Sequence, residues 1–280
     1  MVHVSAAPVL ALRGVSKRFG AVQALTEVDL DVHAGEVVAL VGDNGAGKST
    51  LVKTIAGVHP VDEGVIEWQG RPVVLGTPHD ARALGIATVY QDLALCDNLD
   101  VVGNLFLGRE LTRRGVLDEV EMERRARKLL ATLSIRIPSV RVPVASLSGG
   151  QRQTVAIARS MLGEPRLVLL DEPTAALGVE QTAQVLDLVE RLRERGHAVV
   201  LVSHDLADVR AVADRVAVLR LGRNNGVLAV ADTSHEEIVS AITGATDNAV
   251  TRRADRTRTD TPTDARTATP TDIRPGEARG

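Results

Sequence analysis

The chain has 280 residues, of which 44% are apolar and 25% charged, and its formal net charge is −3. A chain of this size and composition can bury a full hydrophobic core, and it carries no general basic field that would attract nucleic acid. Aromatic residues make up only 1% of the chain, which argues against a stacking surface for single-stranded nucleic acid.

Cysteine content and hydropathy indicate the compartment. Cys96 is the single cysteine, so no internal disulfide or cysteine-rich zinc site can form, which favours a reducing compartment. Residues 1–8 lack the basic stretch and apolar core of a signal peptide. No apolar run approaches the roughly 20 residues that cross a bilayer. We therefore expect the chain to serve a membrane, if at all, from its surface.

The predicted elements begin with two antiparallel strands, at residues 10–13 and 28–32, the second with alternating Val, Asp and Leu. Short apolar runs further along the chain are typical of buried parallel strands. These runs lie at residues 37–41, 167–170, 198–202 and 216–219. Helical patterns over 48–56 and 179–195 lie between them, so the sequence predicts an α/β sheet with crossover helices.

The stretch from about residue 92 to 165 is predicted to be mostly helical. Asp100 is placed to cap a helix over 101–107. Residues 117–133 show an amphipathic pattern with a charged face, and residues 149–162 form a further helix closed by Gly163 and Pro165. We expect this stretch to be a helical insertion between two strands of the core.

The composition changes after about residue 247. Residues 251–280 are rich in Thr, Arg, Asp and Pro, and Ile273 is their only large apolar residue. Such a segment cannot bury a core. We predict a disordered, dispensable tail over 247–280, with a regulatory or membrane-surface role as the alternative.

The strongest motif follows the strand 37–41 directly. Residues 42–50 read G-D-N-G-A-G-K-S-T and fit the pattern G-x-x-x-x-G-K-[ST]. The glycines let the backbone wrap a phosphate, and the next helix presents its positive N-terminus to the same anion. Lys48 is expected to reach the β- and γ-phosphates and Ser49 to ligate Mg²⁺. The predicted phosphate-binding residues are Gly42, Asp43, Asn44, Gly45, Ala46, Gly47, Lys48, Ser49 and Thr50.

A second motif stands at the end of the apolar strand 167–170. That strand delivers Asp171 and Glu172 to its carboxyl end, where open α/β sheets bind ligands. Asp171 is placed to help hold Mg²⁺, and Glu172 to polarise the attacking water. A pair of acids at a strand end is by itself often a solvated surface pair. The phosphate-binding loop in the same chain favours the catalytic interpretation, since phosphoryl transfer needs both parts.

A third motif, L-S-G-G-Q-R-Q at residues 147–153, places a Ser and two glycines at the start of a helix. It resembles the signature sequence of ABC ATPases, and the motifs stand in the order those proteins show over about residues 9–245. In this resemblance Gln91 matches the Q-loop glutamine, His204 the switch histidine, and Phe19 the aromatic residue that stacks on adenine.

The resemblance implies an α/β fold, namely a P-loop NTPase core with a mixed sheet, an antiparallel β subdomain and a helical signature subdomain. The ATPase domain would span 9–245, with the core at 9–91 and 166–245 and the helical subdomain at about 92–165. The catalytic residues so implied are Glu172, His204, Gln91 and Lys48. The implied Mg²⁺ ligands are Ser49, Gln91 and Asp171.

ABC ATPases work as head-to-tail dimers in which each ATP lies between the P-loop of one subunit and the signature of the other. The residues expected on the partner's ATP are therefore Ser148, Gly149, Gly150 and Gln151. Gly178 departs from the usual family pattern, which has an Asp there that orders the dimer interface. This departure, and the stretch 88–109, are similar to the ATPases of simple-sugar importers. Many of these fuse two halves, so a single half implies a homodimer.

The same resemblance implies cofactors, partners and a location. The cofactors would be ATP and Mg²⁺. The partners would be integral-membrane permease subunits, docked through a coupling helix in the groove near Gln91, and, indirectly, an extracytoplasmic sugar-binding protein. The location would be the cytoplasmic face of the cell membrane. Nucleic acid is not an expected partner.

Other functions receive less support from the sequence. Soluble ABC ATPases of translation or DNA repair usually carry tandem ATPase halves, long coiled coils or zinc modules, none of which the sequence shows. A nucleotide-dependent switch with little hydrolysis is disfavoured by Glu172 and His204. A GTPase would need an Asn-Lys-x-Asp pattern, and exporters commonly fuse the ATPase to a membrane domain.

Overall fold

The structure is a computed structural model that describes residues 7–245. The predicted tail, 247–280, lies outside these residues. The strands are β1 Leu10–Phe19, β2 Val22–Val32, β3 Val37–Val41, β4 Glu63–Trp68, β5 Arg71–Val73, β6 Ile86–Val89, β7 Thr112–Arg113, β8 Val116–Leu117, β9 Leu167–Asp171, β10 Ala198–Val202, β11 Arg215–Arg220 and β12 Arg223–Ala229. The helices are α1 Lys48–Ile55, α2 Pro78–Ala83, α3 Val101–Phe106, α4 Glu119–Thr132, α5 Gly149–Met161, α6 Val179–Glu194, α7 Leu206–Val212 and α8 His235–Thr243.

The larger sheet has the strand order β12-β11-β3-β10-β9-β6. The five strands from β11 to β6 run parallel, and β12 is an antiparallel edge strand, so the predicted mixed sheet is confirmed. Alternate residues of the central strands point to opposite sides of the sheet. Leu170 packs into the cluster that contains α5 and α6, whereas Leu169 packs into the cluster that contains α1. Both faces are covered, which explains why these strands are continuously apolar.

The smaller sheet is antiparallel, with the order β2-β1-β4-β5. Its first strand runs to Phe19, six residues beyond the predicted end at residue 13. The pairing of β1 with β2 shifts register after Leu12, and Gly14 in between has φ +60°. This bulge interrupts the alternation of apolar and polar residues, which is why the sequence pattern gave too short a strand.

The stretch 92–165 contains α3, α4 and α5, but it also contains a short β7–β8 hairpin that the helical prediction missed. Val116 and Leu117 pair with the opposite strand of this hairpin, so α4 begins at Glu119, two residues after the predicted start at 117. Asp118 caps the helix by accepting a hydrogen bond from the backbone N–H of Glu121. Asp100 caps α3 as predicted.

None of the helices described over residues 7–245 combines the length and the apolar character that a bilayer span requires.

Candidate functional site

Four predicted site segments leave one edge of the larger sheet. The loop 42–47 follows β3, His204 follows β10, Glu172 follows β9, and Gln91 lies two residues after β6. These four strands are neighbours and parallel, and Val202 and Val89 stand in register with Asp171 and Leu170 of β9. Their carboxyl ends therefore meet, which is where such sheets bind ligands.

The backbone of the 42–47 loop is pressed against two strands. Gly42 has φ +150°, and a Cβ there would lie 2.2 Å from the carbonyl oxygen of Leu219 in β11. Gly47 has φ +106°, and its Cβ would lie 2.8 Å from the carbonyl oxygen of Ala24 in β2. No side chain caps α1 and its first turn carries no acidic residue, so its N–H groups face the loop uncapped. This geometry fits an anion held by backbone amides.

The Lys48 side chain is buried inside the loop. Its Nζ donates hydrogen bonds to the carbonyl oxygens of Gly42, at 2.6 Å, and of Asp43, at 3.0 Å. Burial lowers the pKa of Lys48, and the charges of Glu172, Asp43 and Asp171 oppose that shift. The ammonium group is therefore held by carbonyls beside the predicted acids, and a phosphate can take over these contacts.

Asp171 and Glu172 are both half-buried. Burial raises the pKa of Asp171, the neighbouring charge of Glu172 adds to the rise, and Lys53 and Lys48 oppose it. Burial, followed by the charge of Asp171, also raises the pKa of Tyr90. Two adjacent, half-buried carboxylates beside the phosphate-binding loop fit a site that receives a divalent cation. Within residues 7–245 no cluster of three or more His, Cys, Asp or Glu side chains forms a complete metal site.

Glu172 adopts a backbone conformation that is rare for a residue with a side chain, with φ +50°. Its N–H donates to the carbonyl oxygen of Val202 at 3.0 Å, which fixes the turn at the end of β9. Its Oε1 lies 3.5 Å from Nδ1 of the exposed His204. The structure thus pairs the two residues that the sequence placed 32 positions apart.

Gln91 is exposed, and among residues 7–245 its side chain makes no hydrogen bond with the other predicted site residues. Phe19 stands at the end of β1 and is 42% exposed. Its ring meets His59 edge-on at 4.9 Å between centroids, and Lys17 Nζ lies 5.5 Å from its centre. Phe19 pairs with Val22 of β2, and the same strand contacts the phosphate-binding loop through Ala24.

The signature residues lie at the start of α5. Ser148 caps the helix through a reciprocal pair of bonds, in which Ser148 Oγ accepts from Gln151 N at 3.3 Å and Gln151 Oε1 accepts from Ser148 N at 3.1 Å. A Cβ on Gly150 would lie 2.9 Å from Cβ of Gln181, so this glycine allows α5 to approach α6 closely. Gly149 is exposed.

The signature and the phosphate-binding loop occupy different parts of the chain's surface. The helix α5 packs on α3, α6 and β6, whereas α1 packs on β2 and β9. In the part of the chain that the structure describes, no hydrogen bond or ion pair joins residues 148–151 to residues 42–50. One chain alone therefore does not bring these two predicted sites together.

Sequence reasoning missed several residues of the site. Lys53 influences the ionisation of Asp171, Tyr90 stands between β6 and Gln91, and His59 contacts Phe19. None of the three lies in the motifs that mark the site, and Lys53, five residues after Lys48, does not share a helix face with it.

The chain is similar in sequence to known proteins. A family model described as ABC transporter matches residues 25–175. The chain is 45% identical over 234 residues to a xylose/arabinose import ATP-binding protein of Sulfolobus acidocaldarius, covering 84% of this chain and 93% of that protein. It is 44% identical to a fructose import ATP-binding protein of Rhizobium meliloti, covering 86% and 95%. A ribose import ATP-binding protein of Rubrobacter xylanophilus is also 44% identical, but the chain spans 47% of its length.

Solved structures show the same fold. An ATP-binding cassette of an ABC transporter in its ADP conformation superimposes with a TM-score of 0.73 at 26% identity, covering 84% of this chain and 95% of the other. A dimeric post-hydrolysis cassette bound to ADP and phosphate gives a TM-score of 0.66 at 27% identity, covering 79% and 98%.

Proposed function

Since the chain belongs to the ABC transporter family and its activity is ATP hydrolysis coupled to transport, we propose that it powers the import of a simple sugar. The relatives described above are import proteins for xylose and arabinose, fructose, and ribose. The meeting of the P-loop, Glu172, His204 and Gln91 at one sheet edge is the observation that carries the catalytic part. Because these relatives are import proteins, they argue against the alternative function, a soluble ATPase of translation or DNA repair.

The phosphate-binding loop would hold the nucleotide through backbone amides. Lys48 would exchange its two carbonyl partners for oxygens of the β- and γ-phosphates, which costs no large movement because its ammonium group is already inside the loop. Phe19 would stack on the adenine with its exposed face. The half-buried carboxylates fit Mg²⁺, which Ser49, Asp171 and Gln91 would hold and which would neutralise charge on the phosphates.

Hydrolysis needs a water aligned with the γ-phosphate. Glu172 would polarise this water, and His204, 3.5 Å away, would orient the carboxylate and contact the phosphate. The left-handed backbone at Glu172, tied to β10 through Val202, fixes the direction of the side chain. The oxygen of the water would attack the γ-phosphorus. The bond between this phosphorus and the oxygen that bridges to the β-phosphate would break, which leaves ADP and phosphate.

The signature would act on the nucleotide of a second copy. The chain forms a dimer, and a membrane permease is the partner of that dimer. Because Ser148 and Gly149 are exposed and lie away from their own P-loop, a head-to-tail homodimer would bring them to the ATP on Lys48 of the partner subunit. ATP would thus bind the closed dimer in preference to the open one, and hydrolysis would release it.

A groove beside Gln91 suits the permease. Its volume is about 350 Å³, and its walls include Arg82, Leu107, Arg109 and the start of the Gln91 loop at Asp92. We expect the permease's coupling helix to dock there, which would place the chain on the cytoplasmic face of the membrane. An extracytoplasmic sugar-binding protein would deliver the sugar to the permease, and nucleic acid would not be involved.

Uptake of labelled pentoses and hexoses tests this function. Cells that depend on this chain would be compared with cells that carry Lys48→Ala at equal expression. We expect the variant to lose uptake of one sugar or a small group of related sugars and to keep uptake of the others. Equal uptake of every sugar by both strains would contradict sugar import while leaving the ATPase activity in place.

A further inference from the structure

The last turn of α5 holds the loop that follows Gln91. Arg159 Nη1 donates a hydrogen bond to the carbonyl oxygen of Ala94 at 2.7 Å, and Nη2 donates one to the carbonyl oxygen of Leu93 at 2.8 Å. Arg159 is half-buried and makes no ion pair within residues 7–245, and burial lowers its pKa. A partly buried cation whose donors face two successive carbonyls fixes their direction, because charge-assisted bonds are short and strong.

The loop itself adopts a conformation that needs such support. Ala94 has φ +47°, in the left-handed region that is unfavourable for a residue with a side chain. Its N–H donates to Asp92 Oδ1 at 3.0 Å. The turn is therefore held from one side by Asp92 and from the other by Arg159. Gln91 directly precedes this turn, so the turn fixes the direction of the backbone that follows Gln91.

The opposite end of α5 carries the signature. Ser148 caps the helix, and Arg159 lies eleven positions later, a distance of about 16 Å along a helix. The helix packs on β6, the strand that leads into Gln91, and on α3. The helix α5 therefore carries Ser148 at its first turn and holds the Leu93 and Ala94 carbonyls at its last turn.

We propose that Arg159 is a positioning residue for Gln91 and ties its loop to the signature helix. This inference rests on the proposed roles of Gln91 and Ser148. When Ser148 meets the ATP bound to the partner subunit, the displacement of α5 carries the loop with it and brings Gln91 towards the phosphates. If the link is cut, the P-loop still binds ATP but Gln91 no longer arrives with the closing dimer. The rate then falls while ATP binding stays.

A double-mutant cycle on the ATPase activity of the full-length protein tests this link. Lysine keeps the charge but lacks the planar fork that reaches two carbonyls. We expect Arg159→Lys to lower kcat about tenfold with an unchanged KM for ATP. We expect the double variant with Gln91→Ala to be no slower than Gln91→Ala alone, because both substitutions disable the same group.

Arg191→Gln is the matched control. Arg191 Nη1 donates to the carbonyl oxygen of Leu133 at 3.1 Å and so links α6 to the end of α4 by the same kind of bond, away from Gln91. We expect it to lower the melting temperature and to leave kcat unchanged.

Three results would overturn the inference. Arg159→Lys could keep full kcat while Gln91→Ala loses it, the double variant could show the product of the two losses, or Arg191→Gln could slow hydrolysis as much as Arg159→Lys. A Gln91→Ala variant with full kcat would instead refute the proposed role of Gln91, and the inference with it.

Discussion

Gly42→Ala tests whether the phosphate-binding loop is shaped by backbone packing. The new Cβ would lie 2.2 Å from the carbonyl oxygen of Leu219, while ordinary C···O contacts are about 3.3–3.6 Å. Because both groups are backbone or directly attached to it, β3 or β11 must shift by about 1 Å. With overpacking at about 1–3 kcal/mol and backbone strain at about 1–3 kcal/mol, we expect a loss of about 3 kcal/mol or more.

Gly45→Ala is the matched control for this substitution. Gly45 has φ +79°, but a Cβ there would meet no heavy atom within 4 Å. Only left-handed strain remains, at about 1–2 kcal/mol, and both substitutions affect the unfolded chain alike. At about 2–4 °C per kcal/mol, Gly42→Ala should lower the melting temperature of the nucleotide-free protein by about 6–12 °C or more, and Gly45→Ala by about 2–8 °C and always by less than Gly42→Ala. Equal shifts would refute the packing argument.

Three further outcomes follow from the site and the groove. Glu172→Gln should lower ATP hydrolysis by about 100-fold or more and leave an ATP-bound dimer; light scattering with saturating ATP that shows only monomer would contradict the shared site. Arg109→Glu should abolish sugar uptake and keep ATPase activity. Arg136 is exposed and lies outside the groove, so Arg136→Glu should keep both activities. Sugar uptake by the Arg109 variant would argue against docking of the permease in this groove. The pKa of Asp171 is higher in the folded protein than in the unfolded chain. Ionised Asp171 therefore lowers the free energy of unfolding above the folded pKa, and this loss of stability fades as the pH falls through that pKa. Asp171→Asn should therefore raise the melting temperature of the nucleotide-free protein at neutral pH, with no gain below pH 3.8, the ordinary value for Asp; an equal gain at both pH values would contradict this.

The central sheet was predictable because its strands are buried on both faces. A run such as Val37–Val41 or Ala198–Val202 is apolar throughout, so its bounds could be given from the sequence and are confirmed. The first strand was predicted too short because the bulge near Gly14 breaks its alternation. The β7–β8 hairpin was missed because strands of two residues leave no pattern.

Candidate site residues that lie in a motif could be proposed from the sequence, whereas contacts that come from packing could not. The loop that carries Lys48 and the residue Glu172 each follow an apolar strand, and the carboxyl ends of parallel strands meet at one edge of a sheet. The bond between Arg159 and the Ala94 carbonyl joins residues 65 positions apart, and neither stands in a pattern that predicts the contact. The contact between His59 and Phe19 is of the same kind.

Mixing two inactive variants tests most directly whether two chains share each ATP site. Lys48→Ala disables the P-loop and Ser148→Arg disables the signature, so a mixed dimer contains one site with both parts intact. We expect each variant alone to be inactive and an equal mixture to recover up to about a quarter of the wild-type ATPase activity, since half of the dimers are mixed. A mixture as inactive as the separate variants, in which mixed dimers are shown to form, would contradict the shared site.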